Sequence, residues 1–345
     1  MNHGGSGGAR RGTQTVQLGE TGIELTRIGV GGGPLGNLFT VVTEPDAREV
    51  VREALRDGIR YFDTAPVYGM GLAETRLGQA LAGTDRTGAV ISTKVGRILS
   101  AEAPPDPGLL VDGEPIFRNT PPVNPFWDFS SDGVVASLQA SLERLGLDRV
   151  DIALLHEPPP EQLDQAATDG YRALRHLRDA GTVRAIGVGW DVVEPMADLV
   201  ADLEMDCILL ASRYTLLDQS ALGRLLPLCA ERGTGVIVGG VFNSGILAVT
   251  DGRFDYLPAD HQVRARVERI TRHCDRFNVP LRAAALQFPL AHPAVAGIVL
   301  GMRSVDELRD NLRMLDVEIP AGLWTELQRD GLLPDDAPTP EPGWR

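Results

Sequence analysis

Lysine is nearly missing from this chain: Lys94 stands alone among 33 basic residues, and all the others are arginine. Where surface positions have drifted to arginine, a site that stays lysine is one where a forked, permanently charged guanidinium replaces a compact ammonium poorly. Solitude alone leaves chance survival open. Cysteine is scarce too. Cys207, Cys229 and Cys274 are an odd count without CxxC spacing, which excludes a disulfide framework or a zinc site and fits thiols of a reducing cytoplasm. No metal is expected. Positive charge is in deficit, with a formal net charge of −14. That excludes nucleic-acid backbones and anionic membrane surfaces as partners. No apolar run reaches the ~18 residues of a bilayer-spanning helix. The Gly-rich stretch 1–13 has no apolar h-region, so it reads as a disordered tail and not as a signal peptide.

What the chain does have is 43% apolar residues, ample for a core, in a regular alternation. Short β-type runs fall at 26–30, 60–63, 89–94, 150–156, 185–188, 207–211, 235–240 and 296–300. Amphipathic segments fall between and after them, at 44–58, 71–82, 131–145, 162–180, 192–203, 220–232, 281–291 and 304–314. Strands alternating with helices imply parallel βαβ units. Eight of each predict a closed (β/α)8 TIM barrel over 14–332, followed by a loose Pro- and Asp-rich tail, 333–345. Three additions stand out. Residues 15–25 predict a hairpin plugging the barrel bottom. Residues 96–130 form a long Pro- and aromatic-rich loop after strand three, a length usual for functional lids. Residues 259–276 predict an extra helix.

Reacting groups in such barrels sit at the C-terminal ends of strands. Asp63 ends strand two, Lys94 strand three and His156 strand four; Tyr68 follows Asp63 across a tight Pro- and Gly-containing loop. A tyrosine is about three pKa units, or ~4 kcal/mol, too weak a base at neutral pH. One positive charge at ~4 Å supplies on the order of 4 kcal/mol at an effective dielectric near 20. Lys94 is therefore expected to lower Tyr68, with Asp63 keeping the lysine charged and His156 meeting the same substrate oxygen. Singly, each has a structural explanation: a buried ion pair, a core histidine, a packed loop aromatic. The set of four at these strand ends describes a proton-transfer centre for a carbonyl or carbinol oxygen.

Those four residues, in their Phe-Asp-Thr-Ala…Tyr-Gly, Ser-Thr-Lys and Leu-Leu-His contexts, resemble the catalytic tetrad of the aldo-keto reductase superfamily. The segments 211–219 and 239–247 are similar to the branch holding D-threo-aldose 1-dehydrogenases (L-fucose dehydrogenases) and pyridoxal 4-dehydrogenases. The resemblance implies an NAD or NADP cofactor stretched across the barrel mouth and a small-molecule aldehyde or hemiacetal substrate. Carried over position by position, the cofactor contacts are Gly32, Gly189, Trp190, Tyr214, Phe242, Asn243, Ser244, Gly245, Leu247, Gly301, Arg303, Glu307 and Asn311. Phe126, Trp127 and Trp190 are expected to wall the substrate pocket. Two departures are visible. Gly189-Trp190 stands where many members have Ser-Asn, and Ala211 where they have Gln. Glu307 stands where NADPH-dependent relatives often carry a basic residue and would repel a 2′-phosphate, whereas Arg303 would attract one. NAD is slightly favoured. The expected activity is aldose dehydrogenation with Tyr68 as general acid/base. An NADPH-dependent carbonyl reductase in sugar or secondary-metabolite biosynthesis is the alternative. A cofactor-binding regulatory subunit, like the potassium-channel β subunits of the same superfamily, would bind cofactor without turnover.

Overall fold

A computed structural model describes residues 11–249 and 252–341. Eight parallel strands close into a barrel. In chain order they are β1 (Ile28–Gly31), β2 (Tyr61–Asp63), β3 (Val90–Val95), β4 (Ile152–His156), β5 (Ala185–Trp190), β6 (Cys207–Ala211), β7 (Gly235–Gly239) and β8 (Val295–Gly301). Each pairs with its sequence neighbours, and β8 pairs with β1. The ring of helices is α1 (Glu44–Arg56), α2 (Leu72–Leu81), α3 (Ser131–Leu145), α4 (Tyr171–Asp179), α5 (Val193–Asp202), α6 (Leu225–Arg232), α7 (Leu281–Gln287) and α8 (Val305–Asp316). Period-two alternation divides the apolar side chains. One set, including Val90, Ile152, Leu154, Ala185, Leu209 and Ile237, fills the interior. The larger set, including Ile91, Leu155, Ile186, Val188 and Val238, forms the core with the helices.

The plugging hairpin is present. Thr15–Gln17 pairs antiparallel with Glu24–Thr26, and Leu18, Ile23 and Leu25, all 0% exposed, join the interior cluster. The extra helix spans His261–Arg276, with Asp260 accepting from the amides of Gln262 and Val263 as its N-cap. Three expected helices are broken instead of continuous. Before α4 the chain passes through a wide turn at Ala166–Gly170, next to the Thr168 hydroxyl that donates back to the Asp164 carbonyl. Ser220–Leu222 is a separate short turn before α6. Pro289, which has no N–H to donate, follows the end of α7.

The termini differ from expectation as well. Residues 1–10 of the expected tail lie outside the described residues, but Arg11–Thr13 forms a short turn, and the Arg11 side chain donates to the carbonyls of Leu315 and Val317. A further helix, Ala321–Arg329, buries Leu323, Trp324 and Leu327; the Pro320 start and that apolar spacing were its signal in the sequence. The segment after it is packed down, not loose: Leu333 and Ala337 are buried. Among the described residues no helix is long and apolar enough to cross a membrane.

Candidate active site

Lys94 is 1% exposed. Its Nζ donates to both oxygens of Asp63, at 2.9 and 2.8 Å, and to the Thr64 carbonyl at 2.9 Å. Three acceptors around one nitrogen suit the three donors of an ammonium and not a planar fork. Asp63 also accepts from Ser92 Oγ at 2.6 Å, and Ser92 lies 2.9 Å from the Tyr61 hydroxyl. On the opposite face of β3, Thr93 donates at 2.7 Å to Glu74 of α2, whose other oxygen accepts from Arg144 of α3 at 2.6 Å. Strand β3 is thus pinned from inside and outside. Sequence reasoning reaches none of these supporting groups; the Ser92-Thr93 pair before the lysine is the one trace they leave.

Tyr68 arrives on the loop after β2, which lies backbone against backbone with the loop after β1. A Cβ at Gly69, where φ is +66°, would come within 2.4 Å of the Gly36 carbonyl oxygen, so only glycine fits there. The Lys94 ammonium sits 4.9 Å from the centre of the Tyr68 ring. The His156 ring meets it edge-on, with centroids 6.1 Å apart. The four residues therefore converge as the sequence implied.

Their electrostatics do not follow the expectation. Lys94 is neutralised by the carboxylate it binds. Burial, then the negative charges of Asp63 and Glu157, hold the Tyr68 phenol well above its ordinary value, and Arg97 opposes them. Burial, then Arg97 and Lys94, hold His156 well below the usual imidazole value, so it is neutral. Its Nδ1 is buried without a partner among the described residues. Burying a bare lone pair is easier than burying an unpaired N–H, which puts the proton on Nε2, where it can meet a substrate oxygen.

The mouth holds further residues that the sequence did not single out. Arg97, 4% exposed, follows β3 and donates to Asp106 at 2.5 Å and to Glu157 at 2.9 Å. Phe117, from the long loop, packs against Tyr68 with centroids 6.1 Å apart. With Val67 and Ile116 it makes a small apolar roof that Leu38, Phe39 and Met70 join. Tyr256, in the loop after β7, stacks on Phe39 at 6.0 Å. Of the expected pocket walls, Trp127 lies under the Arg97 guanidinium at 4.8 Å. Phe126 pairs one position away in the same hairpin and is 38% exposed. Trp190 is a correction: Gly189 faces inward toward Lys94, so alternation turns Trp190 outward, where it joins Ile186 and Val188 in the outer core.

The expected cofactor residues separate similarly. Tyr214 is 0% exposed and packs on Phe288 and His292; Leu247 is also 0% exposed and lies in the outer core. Both are core residues. The Asn243 amide is already committed, accepting from Thr215 at 2.6 Å and donating to the Ser212 carbonyl at 3.1 Å. Ser244 Oγ accepts from the Tyr256 amide at 3.0 Å. Arg303 and Glu307 do not oppose each other: the carboxylate accepts from the Arg303 backbone at 2.8 Å and from its guanidinium at 2.9 and 2.6 Å. A better fit to a dinucleotide lies in the remainder. Gly32, Gly189 and Gly301 stand at the ends of β1, β5 and β8, where an added Cβ would meet Asp63 and Thr64, Lys94, and Pro34 respectively. Arg282, paired with Asp310, stands 5.7 Å over the Phe242 ring while donating to Asn311 at 2.7 Å, which brings a guanidinium and an aromatic face together beside α8. Among the described residues no cluster of His, Cys, Asp and Glu could hold a metal ion.

Residues 27–329 match the aldo/keto reductase family. Over 318 residues the chain is 41% identical to a D-threo-aldose 1-dehydrogenase of a Pseudomonas species, covering 91% of this chain and 96% of that protein. Over 335 residues it is 39% identical to a pyridoxal 4-dehydrogenase of Microbacterium luteolum, covering 92% and 97%. Among solved structures, an aldo-keto reductase from Bacillus halodurans superposes with a TM-score of 0.73 at 24% identity, over 92% of this chain and 96% of that one. Barrel, mouth and matching sequences agree: the chain belongs to the aldo/keto reductase family and is an NAD(P)-linked oxidoreductase.

Proposed function

We propose that this enzyme oxidises the anomeric hydroxyl of an aldose, with Tyr68 as the proton acceptor and NAD as the preferred hydride acceptor. The observation that carries the reading is the buried convergence of Lys94, Asp63, Tyr68 and His156 at the ends of β2, β3 and β4. The similarity to a D-threo-aldose 1-dehydrogenase supplies the substrate class. The cofactor, when bound, takes the hydride and in its oxidised form brings a positive charge to the mouth. His156 Nε2 donates to the substrate oxygen and fixes its position. Tyr68, once its own proton has left to solvent and it stands as the phenolate, receives the proton from that oxygen as the C–H bond breaks and a lactone forms. Asp63 holds the Lys94 ammonium in place beside the Tyr68 ring through two hydrogen bonds. NAD is favoured because Arg303, the cation nearest the start of α8, is spent on Glu307 and a 2′-phosphate would have to displace that carboxylate.

One observation favours a second reading. A phenol held above its usual pKa is better disposed to give a proton than to take one, which suits carbonyl reduction. Initial rates on an aldose panel with NAD and NADP, and on simple aldehydes with NADH and NADPH, separate the two. Aldose oxidation with NAD is expected to be fastest; turnover of simple aldehydes with NADPH alone would establish the reductase.

A further inference from the structure

Glu157 occupies a costly position. It directly follows His156 and has φ of +47°, a left-handed backbone that costs a non-glycine residue on the order of 1–3 kcal/mol and gathers at functional sites. Its negative charge raises the Tyr68 phenol, which works against proton abstraction. Arg97 also has a second partner. Asp106, with a side chain only 6% exposed, already pairs with Arg97 at 2.5 Å. The Glu157 side chain differs from both partners: it is 41% exposed where that of Arg97 is 5% exposed. One carboxylate oxygen is fixed by Arg97 NH1 at 2.9 Å, and among the described residues no hydrogen bond holds the other. Asp191, the residue after β5, stands nearby with a side chain 44% exposed.

The left-handed turn also sets direction. Continued as a strand, residue 157 would face away from His156. The turn brings its carboxylate to Arg97 instead, one residue from the imidazole that meets the reacting oxygen. A carboxylate only accepts hydrogen bonds, and a hydroxyl can donate one. We propose that the Arg97–Glu157 pair is a hydroxyl-recognition site, in which Glu157, held by Arg97, accepts from a hydroxyl on one of the two carbons that follow the reacting carbon, C2 or C3, and so selects polyhydroxylated substrates. This rests on the aldose reading above and assigns specificity within that same mouth.

The test uses the full-length enzyme with NAD, an aldose that it oxidises, and the 2-deoxy and 3-deoxy forms of that sugar. Hydrogen bonds to charged groups contribute about 1.5–3 kcal/mol, so wild-type kcat/KM is expected to fall about 10–100-fold for one deoxy sugar. E157Q keeps the shape and an acceptor for Arg97 but loses the charge. It is expected to lose at least tenfold on the parent aldose, mainly through KM, and at least tenfold less on the deoxy sugar that the wild type discriminates against. Parallel losses on both sugars, or a wild type indifferent to both deoxy forms, would overturn the proposal while leaving aldose oxidation intact. The wild-type comparison can overturn the proposal even if E157Q does not fold. A wild type that oxidises no aldose fails the functional reading itself, and the proposal with it.

Discussion

The two ends of the barrel solve the same turning problem in opposite ways. Where helices lead back into strands, at the bottom, left-handed backbone falls on Gly58, Gly83, Gly88, Gly146, Gly181 and Gly233. Where strands lead out to helices, at the mouth, it falls on glycines such as Gly69, Gly96 and Gly240 but also on Asn37, Phe39, Met70, Glu157, Ser212, Asn243 and Ser244, among others; Asn278 is the one non-glycine residue with positive φ outside these loops among the described residues. The bottom is filled by the apolar side chains of a hairpin. The mouth buries the Lys94–Asp63 and Arg97–Asp106 pairs, which cost desolvation that apolar residues avoid. Strain and buried charge therefore collect at one end, and the other end is inexpensive to fold. The chemistry lies at the strained end.

Breaking the mouth at its centre has the largest expected effect. K94M leaves Asp63 buried and unpaired, which costs about 3–5 kcal/mol, and turnover is lost. The double variant D63N/K94M removes both charges; its urea midpoint should return most of the way to wild type while turnover stays absent. Recovery of turnover in the double variant would show that the pair is structural only. Y68F comes next. Among the described residues no hydrogen bond anchors that hydroxyl, so stability should change by less than ~1 kcal/mol while kcat falls about 10²–10⁴-fold, the usual contribution of a general acid or base. A Y68F enzyme within threefold of wild type would move the proton transfer to another group.

The sequence made the bottom and the tetrad legible for different reasons. Apolar periodicity reports which face of an element is buried, so eight strands and the plugging hairpin could be read from it. Asp63, Lys94 and His156 were readable because strand ends in a barrel have fixed places. Loop geometry has no such period. The turn at Glu157, the clamp at Arg97 and the outward face of Trp190 depend on where a loop bends, and residue type alone does not report that. The charge on Tyr68 was missed for a related reason. Lys94 was counted as a bare cation, whereas three hydrogen bonds commit its ammonium to Asp63 and Thr64.

A smaller effect separates the two ends by pH. In the folded protein His156 titrates well below the ordinary imidazole value, whereas in the unfolded chain it takes up its proton near ~6.5. Its neutral burial is therefore without cost above that pH and destabilises as the pH falls from there toward the folded value. H156Q should flatten the acid limb: its urea midpoint should drop less between pH 7 and pH 5 than that of the wild type. His292 is lowered as well, by burial, but it is present in both proteins and cancels. Equal drops would mean that His156 titrates in the folded state as it does in the unfolded chain, contrary to its burial as a neutral donor.

The smallest effect tests the opening contrast directly, by exchanging the two solutions. Gly146 caps α3 with φ of +63°, and an added Cβ would meet nothing within 4 Å. G146A therefore adds no clash and reads backbone strain alone, with about 1 kcal/mol of destabilisation expected. Ser212, after β6, has φ of +61°. S212G relieves the same strain, offset in part by the greater freedom that glycine has when unfolded, for a gain of about 0.5 kcal/mol. Opposite shifts of the thermal midpoint would show that the mouth holds conformational energy that the bottom does not. If S212G is instead destabilising, the side chain at 212 stabilises its own turn, and the asymmetry between the ends is one of charge and not of backbone strain.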